Sequence, residues 1–257
     1  MSTEKRTKIN RLLSSVPAGI VLQSSWLSDH GYSHDLQKRY RKSNWFTTIG
    51  TGAMIRNRDK VSLEGALYAL QKQSNLSIHL GGRTALSYLG KTQYLELSPK
   101  KVTLFGLRSE HLPKWLTTND WGVGVDYHPT SFLPTELGLD TYEFKGFSIK
   151  ISGAARALME CLYLATDDQD LLECLQVMEG LNNLRPIQVQ ALLENCESIK
   201  VKRIFMYMAE LIGHSWLKYL KTDKIDLGKG KRSMVKNGVY VDKYQITLPK
   251  EVTNYGK

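Results

Sequence analysis

Residue types that proteins use to contact nucleic acid recur at helical spacing in one short N-terminal stretch. His34, Lys38 and Arg41 are separated by four and three residues, and Gln37 and Lys42 are adjacent to members of this set. Residues with such spacing share one side of a helix. Arginine gives two hydrogen bonds to guanine, glutamine gives two to adenine, and lysine neutralises phosphate. The stretch therefore predicts a helix that docks in the major groove of DNA.

Three consecutive helices are predicted to position these side chains. They cover residues 4–14, 23–30 and 34–43. Gly31 suits the end of the second helix, where the backbone turns left-handed, and Ser33 is suited to cap the third helix. Leu36 and Tyr40 are four residues apart, so we expect them to anchor the third helix to the core.

A β-hairpin is predicted directly after the third helix. Residues 45–55 are rich in aromatic and β-branched side chains, with a glycine-rich turn at 50–52. Arg56, Arg58 and Lys60 follow at the exit of the hairpin, where we expect them to reach phosphates. Three helices followed by a small hairpin are the elements of a winged helix-turn-helix.

Composition and charge place the chain among folded proteins that meet polyanions. Of its 257 residues, 42% are hydrophobic and 23% are charged, which excludes a disordered or fibrous chain. The formal net charge is +10 overall. It is +7 over residues 1–60, +3 over 61–120, −7 over 121–180 and +7 over 181–257. Two basic ends around an acidic middle predict two separate surfaces for polyanions, and nucleic acid is the polyanion expected.

The sequence also indicates a compartment. The first 13 residues are charged and lack an apolar core, so no secretory signal is expected. No run approaches 18 uncharged apolar residues, so no membrane helix is expected either. Cys161, Cys174 and Cys196 form an odd, widely spaced set, which suits reduced thiols and lacks the paired spacing of a zinc site. We therefore expect a cytoplasmic protein.

Mixed helix and strand patterns after the hairpin predict an α+β fold. Further helices are expected over 61–73, 82–89, 153–165, 170–181, 186–196 and 198–220. Strands are expected over 94–97, 101–107, 123–127, 141–152 and 239–248. We expect two domains, a winged helix-turn-helix over 1–76 and a larger mixed α/β domain over 77–257.

Several enzyme classes are excluded by their missing motifs. The segment GKGKRS lacks the spacing of a phosphate-binding loop, and the chain has neither a GxSxG elbow nor an HExxH zinc motif. Gly81-Gly82 is similar to the start of a nucleotidyltransferase motif, but no pair of carboxylates follows within twenty residues to hold two metal ions. We expect no catalysis, no metal and no cofactor.

Four longer segments carry a resemblance to a known family. HLGGRTALSYLG, ISGAARALMECLY, LRPIQVQALLENCESIKVKRIFMYMAE and IDLGKGKRSMVKNGVYVDKYQITLPKE follow in the order that resembles AbiEi-type antitoxins of bacterial type IV toxin–antitoxin systems. The segment SHDLQKRYRKSNWFTTIGTGAM resembles the winged helix of that family. The resemblance implies a repressor that binds inverted repeats in its own promoter. It also implies a C-terminal domain that counters a nucleotidyltransferase toxin without a stable complex.

The resemblance also implies site residues. Those implied to face the DNA groove are Ser33, Gln37, Lys38 and Arg41, and those implied to serve the wing are Thr47, Arg56 and Arg58. A basic face for antitoxicity is implied by Lys200, Lys202, Arg203, Lys229, Lys231 and Arg232.

Two alternatives stay open from the residues alone. In one, the chain is an RNA- or nucleotide-handling protein that uses the winged helix only as a docking module. In the other, the basic C-terminal face binds a protein or tRNA and the chain has no role on DNA.

Overall fold

The N-terminal segment forms a winged helix-turn-helix, which confirms the predicted fold. A computed structural model describes residues 7–91, 101–144 and 146–256. The first elements are α1 (Lys8–Ser15), β1 (Leu22–Gln23), α2 (Ser24–Asp29), α3 (His34–Lys42), β2 (Phe46–Gly50) and β3 (Ala53–Arg56). The strands form an antiparallel sheet with the order β1-β3-β2.

Local capping signals set the ends of these helices. The Thr7 side chain accepts a hydrogen bond from the backbone N–H of Asn10 at the start of α1. Ser33 does the same for Leu36 at the start of α3, as its residue type predicts. Gly31 has a φ of 82°, so the chain leaves α2 through the left-handed conformation that favours glycine.

The helix after the hairpin is packed tightly against the loop before β1. Leu67 and Leu70 of α4 (Leu63–Lys72) are fully buried, which stabilises the fold by about 2 kcal/mol for each side chain. The backbone N–H of Val21 donates to the carbonyl of Gly65 at 3.2 Å. A Cβ at Gly65 would lie 2.1 Å from the carbonyl oxygen of Gly19, so only glycine allows this approach.

The middle of the chain builds a five-stranded sheet. Its elements are β4 (His79–Leu80), α5 (Gly82–Tyr88), β5 (Lys101–Gly106), α6 (Lys114–Thr118), β6 (Gly124–Pro129), β7 (Leu139–Phe144) and β8 (Phe147–Ser152). The strand order is β6-β5-β4-β8-β7, and β4 pairs with β8 in parallel. The strand pattern expected over 141–152 is present as the two strands β7 and β8. The strand expected at 94–97 lies outside the described residues.

The C-terminal part is a helical layer followed by a small sheet. The elements are α7 (Ala154–Leu164), α8 (Asp168–Glu179), α9 (Pro186–Asn195), α10 (Ile199–Ile212), β9 (Arg232–Ser233), β10 (Val239–Val241), β11 (Ile246–Leu248) and α11 (Lys250–Thr253). In the sheet, β11 lies between antiparallel β10 and parallel β9.

The long helix expected over 198–220 ends early. Gly213 has a φ of 79° and donates its backbone N–H to the carbonyls of Ala209 and Glu210, which closes α10. A short 3-10 helix over Ser215–Tyr219 follows. The apolar periodicity continues through both helices, so it did not indicate the break.

By packing, the chain divides into two compact units. The first comprises Met1–His79, Ser109–Val125 and Thr141–Lys150, and the second comprises Leu80–Arg108, Asp126–Asp140 and Ile151–Lys257. Two later segments thus pack with the winged helix. The single boundary between residues 76 and 77 stays a prediction.

No helix among the described residues is both long enough and apolar enough to cross a bilayer.

Candidate nucleic-acid interface

One side of α3 carries exposed cations. His34, Lys38 and Lys42, all predicted to meet DNA, are exposed, and so is Arg39. His34, Lys38 and Lys42 are spaced by four residues and form one stripe. Among the described residues, no ion pair engages Lys38, Arg39 or Lys42. Sequence reasoning missed Arg39, whose signal is its place directly after Lys38 in the basic run KRYRK.

The Gln37 side chain points into the fold, so its predicted place in the groove is wrong. Its side chain is fully buried. Its Nε2 donates to the carbonyls of Tyr32 at 2.7 Å and Ser24 at 3.1 Å, and to Ser28 Oγ at 3.1 Å. Its Oε1 accepts from Ser24 Oγ at 2.6 Å. A glutamine suits this buried position because its amide combines donors and an acceptor. The Gln37 amide therefore connects α2 to α3 and is not free to contact adenine.

Replacing Gln37 with leucine is expected to lower the free energy of unfolding by about 2 to 3 kcal/mol, because it leaves several buried polar groups without partners. The measurement is urea denaturation followed by circular dichroism. The neighbouring change Lys38→Leu is the control, and its effect is expected to stay within about 0.5 kcal/mol because Lys38 is exposed. Equal stability of the two variants would contradict a structural role for Gln37.

The inner side of α3 is anchored as expected. Leu36 and Tyr40 are half-buried, and the Tyr40 ring meets the ring of Phe46 edge-on at a centroid distance of 5.9 Å. Arg41 is also half-buried, so it lies at the margin of the exposed stripe. The helix therefore presents Lys38 and its exposed neighbours outward with a fixed orientation.

The hairpin carries two of its three expected contact residues on the surface. Thr47 and Arg58 are exposed. Arg56 is half-buried, and its guanidinium donates to the carbonyls of Leu13, at 2.8 Å, and Val16 at the end of α1. Burial lowers the pKa of Arg56. The expected role of Arg56 on the wing is corrected to a structural one, since its Nη2 atom donates to two carbonyls inside the fold.

The hairpin turn is supported by a segment from later in the chain. A Cβ at Gly50 would lie 2.7 Å from the Cβ of Trp115 in α6. Trp115 is buried, and Trp121 donates its indole N–H to the carbonyl of Leu116 in the same segment. Gly50 has a φ of 152°, so both backbone and space require glycine here. No local sequence signal connects these two regions.

The first C-terminal basic cluster is largely buried, which corrects its assignment to an exposed face. Lys202 and Arg203 expose only 3% and 1% of their surface. Lys200 is half-buried, and its Nζ donates to the carbonyls of Tyr163 and Ala165 at the end of α7. Burial lowers the pKa of Lys200. Lys200 and Arg203 donate to backbone carbonyls, so their charges are used inside the fold.

The second cluster is exposed, and Arg203 explains why. Lys229, Lys231 and Arg232 are exposed. The Arg203 guanidinium donates to the carbonyls of Leu227, Gly228, Gly230 and Gln245 at 2.7 to 3.2 Å. The loop backbone is thus bound from inside by one buried arginine. Of the six C-terminal candidates, only the residues of this loop face solvent fully.

The Gly81-Gly82 turn is built around a buried carboxylate. Glu160 of α7 accepts hydrogen bonds from the backbone N–H of Gly82 at 2.9 Å and from Ser152 Oγ at 2.7 Å. Arg156 Nε donates to Glu160 at 2.9 Å, and both side chains are almost completely buried. A Cβ at Gly81 would lie 2.5 Å from the Glu160 carboxylate. The glycine pair is required by packing, and the same carboxylate joins two of the segments that resemble the family.

The described residues contain no group of three or more His, Cys, Asp or Glu side chains placed to hold a metal ion. All three cysteines are reduced and buried. Burial raises the pKa of Cys196 to about 11, so this thiol stays protonated at neutral pH.

Two family models together match nearly the whole chain. One, described as "Transcriptional regulator, AbiEi antitoxin N-terminal domain", matches residues 5–97. The other, described as "Transcriptional regulator, AbiEi antitoxin, Type IV TA system", matches residues 99–249. No curated protein is significantly similar to the chain.

A solved structure shares the fold. The crystal structure of RV2827C protein from Mycobacterium tuberculosis has a TM-score of 0.54 and 14% sequence identity. The similarity covers 88% of this chain and 85% of that chain. At this identity the similarity concerns the fold alone.

Proposed function

The chain belongs to the AbiEi antitoxin family of transcriptional regulators from type IV toxin–antitoxin systems, and on this premise we propose that it represses its own operon by binding duplex DNA through α3 and the hairpin. The target is a set of inverted repeats in its own promoter. Its C-terminal part counters a nucleotidyltransferase toxin without forming a stable complex with it. The protein itself performs no catalytic step.

The observation that carries the DNA-binding proposal is the set of exposed cations on α3, in which Arg39 lies beside the stripe. Lys38, Arg39 and Lys42 are exposed and form no ion pairs with the described residues. The N-terminal residues of a recognition helix contact base edges, so His34 and Lys38 are assigned to bases. Arg39 and Lys42 are assigned to phosphates, which set the affinity and its dependence on salt.

The cap of α3 and the hairpin supply further contacts in this proposal. Ser33 is exposed at the start of α3, where free backbone N–H groups attract phosphate. Arg41, at the margin of the stripe, is assigned to the phosphate backbone. Thr47 and Arg58 contact the backbone from the wing, with Thr47 Oγ1 held 3.4 Å from Asn57 Oδ1.

Nuclease footprinting on the upstream region tests promoter recognition. We expect protection of paired half-sites, and repression of a reporter driven by the same region. A matching fragment with scrambled half-sites is the control and is expected to bind only weakly. Equal binding to the promoter and to the scrambled fragment would contradict sequence-specific repression.

For antitoxicity, the proposal assigns the exposed loop residues Lys229, Lys231 and Arg232. Replacing all three with glutamine is expected to abolish most of the rescue from the toxin, because the loop no longer carries positive charge, while promoter repression persists. Growth of cells that express the toxin under separate control measures the rescue.

A charge-matched control is available on the nearby 3-10 helices. Lys218, Lys221 and Lys224 are also exposed, and their triple replacement with glutamine is expected to preserve rescue. If both triple variants rescue equally well, the loop is not the antitoxic surface.

A further inference from the structure

The small C-terminal sheet has one side turned to solvent. Tyr240 of β10 is opposite Thr247 of β11, which is opposite Ser233 of β9. The alternate residues of β11, Ile246 and Leu248, are completely buried. Because side chains alternate between the two sides of a sheet, the row through Tyr240 faces away from the core.

An aromatic ring and a cation meet on this side of the sheet. Tyr240 is 38% exposed. The Nζ atom of Lys231 lies 5.1 Å from the centre of its ring. Lys231 precedes Ser233 by two residues, so it belongs to the same side of the sheet.

The loop that carries these cations has a fixed backbone. Gly228 and Gly230 have φ values of 65° and 81°, and their carbonyls accept hydrogen bonds from Arg203. Because the carbonyls point inward to the guanidinium, Lys229 and Lys231 are held in exposed positions. An ordered loop loses little conformational entropy when it binds a ligand.

The segment that leads to Tyr240 is rich in cations. Residues 228–241 carry four cations and no carboxylate, and Asp226 and Asp242 flank the segment. Lys236 is one of the four, but it lines a cleft of about 460 Å³ together with Asp167, Asp168 and Glu251, so we leave it out of the surface. Arg232 is opposite the buried Ile246 in the register, so it belongs to the other side of the sheet. This leaves Lys231, beside the Tyr240 ring, and Lys229 in the adjoining loop. Their charge complements a phosphate backbone and does not explain an exposed aromatic ring.

We propose that this surface binds a single-stranded nucleic acid, with an unpaired base stacked on Tyr240 and the flanking phosphates bound by Lys229 and Lys231. Stacking on an aromatic ring needs a base that is not paired in a duplex, and lysines that follow the backbone add affinity. The inference deepens the antitoxin role proposed above and rests on it for its purpose in the cell. It does not depend on promoter binding.

Fluorescence anisotropy with a labelled single-stranded oligonucleotide tests the proposal. The full chain carries Lys38→Ala and Arg39→Ala, so that α3 does not contribute, and RNA and DNA oligonucleotides of one sequence are compared. Tyr240→Ala is expected to weaken binding roughly tenfold, because the stacking contact between the base and the ring is lost. Tyr240→Phe is expected to bind like the parent. The oligonucleotide that binds more tightly shows whether the natural ligand is RNA or single-stranded DNA.

Tyr219 is a matched control. It is 64% exposed, and Lys218 Nζ lies 5.1 Å from its ring, but it belongs to a 3-10 helix outside the sheet. Tyr219→Ala is expected to leave binding unchanged. Equal affinity of the Tyr240→Ala variant and the parent for the oligonucleotide would overturn the proposal. It would also be overturned if polyglutamate displaced the oligonucleotide equally well from the variant and from the parent. The second result would indicate a general anion surface that suits an acidic protein. Loss of promoter binding alone would leave this inference intact.

Discussion

Replacing Lys38 and Arg39 together with alanine is expected to weaken binding to the promoter duplex by about a hundredfold, because removing one DNA-binding side chain from the recognition helix costs about 1 to 2 kcal/mol. Both side chains are exposed on α3, and neither forms an ion pair with the described residues. The fold is expected to survive, since the buried anchors Gln37 and Tyr40 are untouched. Gel shifts at two salt concentrations measure the decrease in affinity, and the dependence on salt should weaken as well.

The control removes the same charge elsewhere. Lys72 ends α4 and Lys224 lies in a 3-10 helix, and both are exposed. A Lys72→Ala/Lys224→Ala variant is expected to bind the promoter nearly as well as the parent. If the two double variants lose affinity equally, binding reflects the overall positive charge, and α3 is not the recognition helix.

The second large effect concerns the buried ion pair between Arg156 and Glu160 in the second compact unit. Replacing Arg156 with alanine is expected to lower the free energy of unfolding by about 3 to 5 kcal/mol, because it leaves the buried Glu160 carboxylate without its cation. Arg156 also donates to the carbonyls of Pro134 and Leu137, each at 2.6 Å. Those acceptors would lose their partner too. Thermal and urea denaturation of the purified protein measure the change.

Two further variants isolate the cause. Adding Glu160→Gln to Arg156→Ala is expected to restore part of the stability, since the amide carbonyl still accepts from Gly82 and the uncompensated charge is gone. Arg83, which pairs at the surface with Asp170 and Glu173, is 56% exposed. Its replacement with alanine is expected to cost less than about 1 kcal/mol, because solvent screens the pair. An Arg156→Ala variant no less stable than the Arg83→Ala variant would refute the buried network.

The winged helix was predictable because its signals are local. Helix caps such as Ser33, the apolar pairs and the glycine-rich turn at 50–52 act within a few residues of one another. For the rest of the chain, the prediction of the fold class depended on the helix and strand patterns and on the family resemblance. The exposed stripe was only partly predictable, because in a nine-residue helix the polar residues Gln37, Lys38 and Arg39 do not reveal which of them faces the core.

The prediction of a basic C-terminal face was wrong where long-range packing buries the predicted cations. The resemblance implies a basic face that includes Arg203, but the four carbonyl partners of Arg203 are supplied by a loop and a turn more than twenty residues away. Support of the hairpin turn by Trp115 likewise depends on contacts that local periodicity does not encode. Buried cations that meet backbone carbonyls have no short sequence signature.

Dimethyl sulfate footprinting on the promoter complex tests the central assignment most directly. The reagent methylates guanine N7 in the major groove and adenine N3 in the minor groove, so it reports which groove α3 occupies. We predict that guanines in both half-sites are protected at N7 by the parent protein and become reactive again with the Lys38→Ala/Arg39→Ala variant. Bound promoter DNA in which guanine N7 stays fully reactive would contradict the proposed docking of α3.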